Sequence, residues 1–170
     1  VRVTIAAQAA LLLLHRDTDY FPRLTSIIVY PTGYVAADVK RADGGIWSED
    51  DEALLGHTQR DLRALVLSWD DVRAGAADPD DGHNLVLHEF AHQLDFEDGS
   101  TDGTPLLDSG AEVRAWADVF GQELETLRRA ADAGEYTVLD PYGAQDPAEF
   151  FAVATETFFE RPAEIAQRHP

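Results

Sequence analysis

The sequence predicts an α+β fold, with a small sheet in the first half and a mostly helical second half. Two observations carry this. The β-branched and aliphatic runs "SIIVY" and "ALVLSW" both lie before residue 70, whereas beyond residue 84 apolar residues recur at helical spacing in successive segments. In addition, 45% hydrophobic content over 170 residues is enough for one sizeable core and too little for two ordinary domains. A single domain over residues 1–170 is therefore expected.

The elements follow in order. The apolar run "VTIAAQAALLLL", Val3 to Leu14, is shorter than the roughly 18 residues a membrane span needs. The "HRDTDY" after it is no small-residue cleavage site, so the run reads as a buried helix. Ser26 to Tyr30 crowd β-branched side chains into a strand that Pro31 stops. Residues 41–52, "RADGGIWSEDDE", are polar and carry Gly44 and Gly45, which suits a loop or an irregular hairpin. Ala64 to Trp69 form a second strand, and "AGAADPDDG", residues 74–82, breaks the chain.

A helical pattern then begins near Asn84, with Leu85, Leu87, Phe90, Ala91 and Leu94. The loop "EDGSTDGTPLLDSG" follows it. A helix from about Ala111 to Ala133 places Val113, Trp116, Val119, Phe120, Leu124 and Leu127 at helical spacing. The last helix starts at "DPAEFFAVATETFFERP", where Asp146 has the chemistry of an N-cap and Pro147 fits the first helical position.

Composition excludes several function classes. A formal net charge of -19, without Lys or Arg clusters, repels phosphate backbones and anionic lipid headgroups, so neither nucleic acid nor membrane is an expected partner. With no cysteine, a metal can be held only by His, Asp or Glu. The chain has no methionine, even at position 1, and reads as a trimmed or incomplete chain of an intracellular soluble protein.

The strongest chemical signal is "HEFAH", His88 to His92, inside the predicted helix. Residues four apart share a helical face, so His88 and His92 can reach one ion while Glu89 stands beside them as a base. The alternative is an ordinary helix with two surface histidines. Catalytic zinc sites typically use three protein ligands and leave the fourth position to water. Asp98, six residues past His92, would be the third in a metzincin spacing, but Asp95 occupies the place of the turn glycine and the Met-turn is impossible. Glu149 could reach across from the last helix in a gluzincin arrangement. It also lies three residues after Asp146, where a capping-box glutamate bonds back to the N-cap amide, and the spacing leaves both roles open. "DGSTDG", Asp98 to Gly103, matches half a calcium loop, yet Ser109 stands where the bidentate glutamate belongs.

The blocks "VLHEFAHQLDFEDGSTDGTPLL" and "LDPYGAQDPAEFFAVATETFFERP", with "AAQAALLLLHRDTDYFPRLTSIIVYP" upstream, resemble the Mlc titration factor A family of zinc metallopeptidases over nearly the whole chain. The resemblance implies a zincin-like, gluzincin-type domain with one Zn2+ held by His88, His92 and Glu149, and Glu89 as general base. That family in turn resembles the catalytic domain of anthrax lethal factor, where a tyrosine seven residues before the glutamate ligand faces the substrate. Here that residue is Tyr142; the alternative is a loop tyrosine packed against the last helix. The chain departs from the thermolysin pattern, whose aspartate four residues past the glutamate ligand is replaced by Val153. Asp95 or Glu156 could orient a ligand instead, or be solvated helix carboxylates.

The family is longer at both ends. It implies a cytoplasmic enzyme with aminopeptidase-like activity on a peptide or protein substrate, using metal-assisted hydrolysis in which Tyr142 donates to the oxyanion. From a different class, it also implies a regulatory protein that sequesters a transcriptional repressor of the Mlc type, whose basic DNA-binding face an acidic surface suits.

Overall fold

The computed structural model describes residues 1–15, 20–32, 56–59 (backbone only) and 63–168; the loop expected at 41–52 lies outside them. Among the described residues there are three strands and six α-helices, an α+β arrangement with the strands early and the long helices late. Strand β1, Ser26–Tyr30, runs parallel to β3, Ala64–Ser68, with Ile28 opposite Val66. Strand β2, Gly56–Gln59, lies antiparallel on the other edge of β3 and pairs His57 with Val66.

The central strand is buried along its whole length, which is why Ala64, Leu65, Val66 and Leu67 form an unbroken apolar run instead of alternating. Among the described residues β1 is an edge strand, and Ile27, Ile28 and Tyr30 are exposed on it. Strand β2 carries no β-branched run and was not legible in the sequence.

The second strand ends one residue earlier than its composition suggests. Ser68 caps a helix, its hydroxyl accepting from Asp71 N, and Trp69 therefore opens α2, Trp69–Ala77. The break expected from residue 74 falls later, at Asp78, because the alanines of "AGAA" favour continuing the helix and only "DPDDG" stops it.

Helix α3, Leu85–Asp95, starts at Asn84, whose side-chain oxygen accepts from Val86 N and Leu87 N at 3.1 Å each. It buries Val86, Leu87, Phe90, Ala91 and Leu94 against α1, Arg2–Leu11, the sheet and α5, Pro147–Glu160. Between them, α4, Gly110–Ala133, opens with a capping box in which Ser109 and Glu112 satisfy each other's backbone amides, and closes at Gly134 in the left-handed region. Only Leu124 and Leu127 of α4 are fully buried.

Helix α5 is apolar on most sides and lies in the interior, buried at Phe150, Phe151, Ala152 and Val153. It ends at Glu160 because Arg161 precedes Pro162, which opens α6, Pro162–Arg168. Packing α3 beside α5 sets the histidines of one against the acids of the other. Among the described residues, no helix is long and apolar enough to cross a membrane.

Candidate metal centre

The spacing of His88 and His92 does what a helical turn requires: both rings leave the same face of α3, with centroids 4.9 Å apart. Glu149 enters from the first turn of α5. Its Oε2 lies 3.1 Å from His88 Nε2 and 3.6 Å from His92 Nε2. The spacing left Glu149 open between helix capping and ligation, and its side chain turns to the imidazoles. Asp146 caps α5 without it, Oδ1 accepting from Ala148 N and Glu149 N at 2.8 and 3.0 Å.

One ligand atom from each of His88, His92 and Glu149 falls within 4.8 Å of the other two. Two ligand atoms around a tetrahedral ion with bonds near 2.1 Å are separated by roughly 3.4 Å, and the two His-to-Glu distances bracket that value. Two imidazoles and a carboxylate also form a donor set with room for a fourth ligand.

The electrostatics favour a cation. Burial by itself lowers the basicity of His88, but hydrogen bonds to Glu149 and Glu156, with the nearby charge of Glu89, raise its pKa to about 10. Burial by itself raises Glu149, and the two imidazoles nevertheless hold it well below the usual carboxylate range. The carboxylates of Glu149, Glu156 and Glu89 around His88 thus favour positive charge at this point. The residues present therefore fit a divalent metal.

Glu89 is buried, 5% exposed, on the same helix beside the histidines. Tyr142 sits in a single 3-10 turn, Pro141–Ala144, which Asp140 caps by accepting from Tyr142 N at 2.8 Å. Its ring centroid is 6.1 Å from that of His88, and at 38% exposure it faces partly into solvent. The five predicted site residues are thus brought together by α3, α5 and the turn before α5.

The orienting candidates divide. Glu156 receives His88 Nδ1 at 2.7 Å, the carboxylate contact that fixes an imidazole's orientation. Asp95, fully buried, holds the loop, Oδ1 accepting from Thr104 N at 3.0 Å, while His92 lies near enough for its charge to favour the carboxylate. Asp98 stands apart from the histidines in an exposed turn, accepting from Ser100 N and Oγ at 2.7 Å each.

Sequence reasoning missed Glu160 and the double duty of Asn84. Glu160 Oε1 accepts from Asn84 Nδ2 at 2.9 Å and its Oε2 from Gly82 N at 3.1 Å. Their signal was present: acids at 156 and 160, four apart in an otherwise apolar helix, are unusual enough to require partners.

A family model described as glucose-regulated metallo-peptidase M90 matches residues 1–170. An uncharacterized protein of Synechocystis is 39% identical over 99% of this chain and 62% of its own length. Mlc titration factor A of Escherichia fergusonii is 33% identical over 98% of this chain and 62% of its own. Mlc titration factor A of Serratia proteamaculans is 32% identical over 100% of this chain and 64% of its own. The chain thus spans somewhat under two thirds of the length of these relatives.

Proposed function

Because the chain belongs to the glucose-regulated metallo-peptidase M90 family, we propose that it is a zinc-dependent peptidase, aminopeptidase-like and cytoplasmic, built as a single zincin-like domain. The observation that carries peptide hydrolysis is the convergence of His88, His92 and Glu149 with the buried Glu89 on the same helix. These three side chains would hold the metal. A bound zinc ion would polarise the scissile carbonyl and bring the pKa of a water towards about 7.

The protein's own groups do the rest. Glu89, held out of bulk solvent, takes the proton of the attacking water and passes it to the leaving amine. Tyr142, fixed by the Asp140 cap, turns its hydroxyl to the oxygen on which negative charge develops. The Glu156 contact keeps the His88 ring from rotating, so its Nε2 stays aimed at the Glu149 side of the site.

Glu149→Ala is expected to lose most of the zinc that the parent carries after purification, while Asp98→Ala keeps it; metal analysis of both decides the ligand set. Equal zinc in Glu149→Ala and the parent would remove the gluzincin arrangement. Glu89→Gln separates chemistry from binding. It should hold near-stoichiometric zinc yet hydrolyse an aminoacyl anilide at least a hundredfold more slowly, and retained activity would mean that another group is the base.

The relatives named Mlc titration factor A, together with a net charge of -19, support a second role as a binding protein for a repressor of that type. Attraction between an acidic exterior and a basic DNA-binding face needs neither Glu89 nor the metal. Repressor binding should persist in Glu89→Gln and weaken steeply as salt rises. Binding that follows zinc removal instead would make the partner a substrate.

A further inference from the structure

Two acids, Glu156 and Glu160, lie one turn apart on α5, and both are buried, 6% and 7% exposed. Their placement is costly three times over. Each is desolvated, they repel each other across one helical turn, and they sit in the last turns of α5, where the helix dipole disfavours negative charge. Burial accordingly raises the pKa of Glu160, with repulsion from Asp81 and Glu156 adding to it. A fold keeps such groups only where something specific offsets the cost.

What offsets it is the start of α3. Glu156 Oε2 accepts from Asn84 N at 2.5 Å, and Glu160 takes Asn84 Nδ2 and Gly82 N. All are donors at or just before a helix N-terminus, where amides lack partners inside the helix and the dipole favours anions. Asn84 spends its remaining side-chain oxygen capping Val86 and Leu87. The other oxygen of Glu156 holds His88 Nδ1 at 2.7 Å. One carboxylate therefore grips both the N-cap residue of the helix and the histidine one turn along it.

We propose that Glu156 and Glu160 are positioning residues that lock the N-cap of α3 and the His88 ring into a single unit, so that metal affinity depends on the cap of the helix that carries the ligand. This rests on His88 being a metal ligand. It goes beyond orientation of a single imidazole, because it makes the side chains of Asn84 and Glu160, which hydrogen-bond to Gly82, to the α3 amides and to each other and not to a candidate ligand, determinants of metal binding.

The chemistry gives a sharp test. A carboxylate has two acceptor oxygens, and a carboxamide has one. Glu156→Gln can serve His88 or Asn84 N but not both, and should weaken zinc binding about tenfold or more, measured by competition with a chromophoric chelator. Asn84→Asp sets a third acid against Glu160 and should weaken zinc likewise. Combining it with Glu160→Gln restores every bond and reverses one of them: the new amide donates to the new carboxylate, while its oxygen still accepts from Gly82 N. The double variant should recover zinc affinity to within about threefold of the parent.

Thermal melting of the metal-free proteins, run alongside, separates positioning from general stability. Loss of melting temperature with unchanged zinc affinity in both Glu156→Gln and Asn84→Asp would overturn the proposal. So would a double variant that binds zinc no better than Asn84→Asp, a comparison that stands even where Glu156→Gln does not fold. Failure of the underlying site looks different: His88→Ala would then bind zinc as tightly as the parent.

Discussion

The two ends of α3 hold their histidines by opposite means. At the N-terminal end, His88 is tethered through Glu156, Asn84 and Glu160, a chain of buried polar contacts running to α5. At the C-terminal end, His92 Nδ1 is buried with no hydrogen-bond partner among the described residues, and order comes from packing and from the loop beyond Phe96. That loop is pinned at Gly103. Its backbone oxygen accepts from Trp116 Nε1 at 2.9 Å, and its amide, with that of Thr104, faces the Asp95 carboxylate.

The two ends therefore tolerate different changes. A polar tether fails when one donor or acceptor is lost, because the partner left behind is buried and unpaired. A steric lock fails when volume is added. The first end should be sensitive to isosteric swaps, the second to a single methyl group.

The largest effect expected at the steric end is Gly103→Ala. Gly103 has φ +76, a backbone region that side chains avoid, and a Cβ there would lie 2.2 Å from the Pro147 carbonyl oxygen. Pro147 opens α5 only two residues before Glu149, so relief of the clash must move the turn that presents that carboxylate. The variant should lose roughly 2–4 kcal/mol of stability and much of its zinc. Chemical denaturation with metal analysis checks both. A variant of parental stability would show that the loop yields without disturbing α5, and the contrast between the ends would collapse.

This contrast also explains what the sequence could and could not reveal. His88, Glu89 and His92 are legible because a helix turns local spacing into geometry, and Asn84 and Asp146 because caps are local as well. Glu156 is half legible: its spacing from Glu149 suggests a helical neighbour, but its second bond, to Asn84 N, spans 72 residues and depends on how two helices cross. Asp95 shows the same limit in reverse. Its helical register places its charge near that of His92, but its bonds to the Thr104 and Gly103 amides depend on a loop folding back, which no periodicity records. Strand β2 is held by pairing with β3 and not by the propensity of "GHTQ", so a local reading passes over it.

Acid and base titrations sharpen the comparison most finely, because the two ends should respond in windows that do not overlap. Asp95 is fully buried, and burial first, then the charge of Asp102, raises its pKa from 3.8 to about 6 against the lowering effect of the loop amides. The folded chain then holds more protons than the unfolded one between these values, so stability is greatest below the lower and falls as pH rises to the upper. His88 in the metal-free protein is raised from 6.5 to about 10, and its contribution is intact below 6.5 and lost as pH climbs through about 10. Asp95→Asn imitates the protonated acid, keeping an acceptor for Thr104 N while removing the charge. Between about pH 4 and 6 the parent should lose on the order of 1–3 kcal/mol more unfolding free energy than the variant, in which the raised Glu160 still titrates, whatever fixed cost the buried amide adds. Above pH 6.5 the two metal-free proteins should decline in parallel, since His88 is untouched. Denaturant unfolding at half-unit pH steps makes the comparison, and parallel curves below pH 6 would mean that the carboxylate is solvated or paired and that the C-terminal end of α3 is not dry.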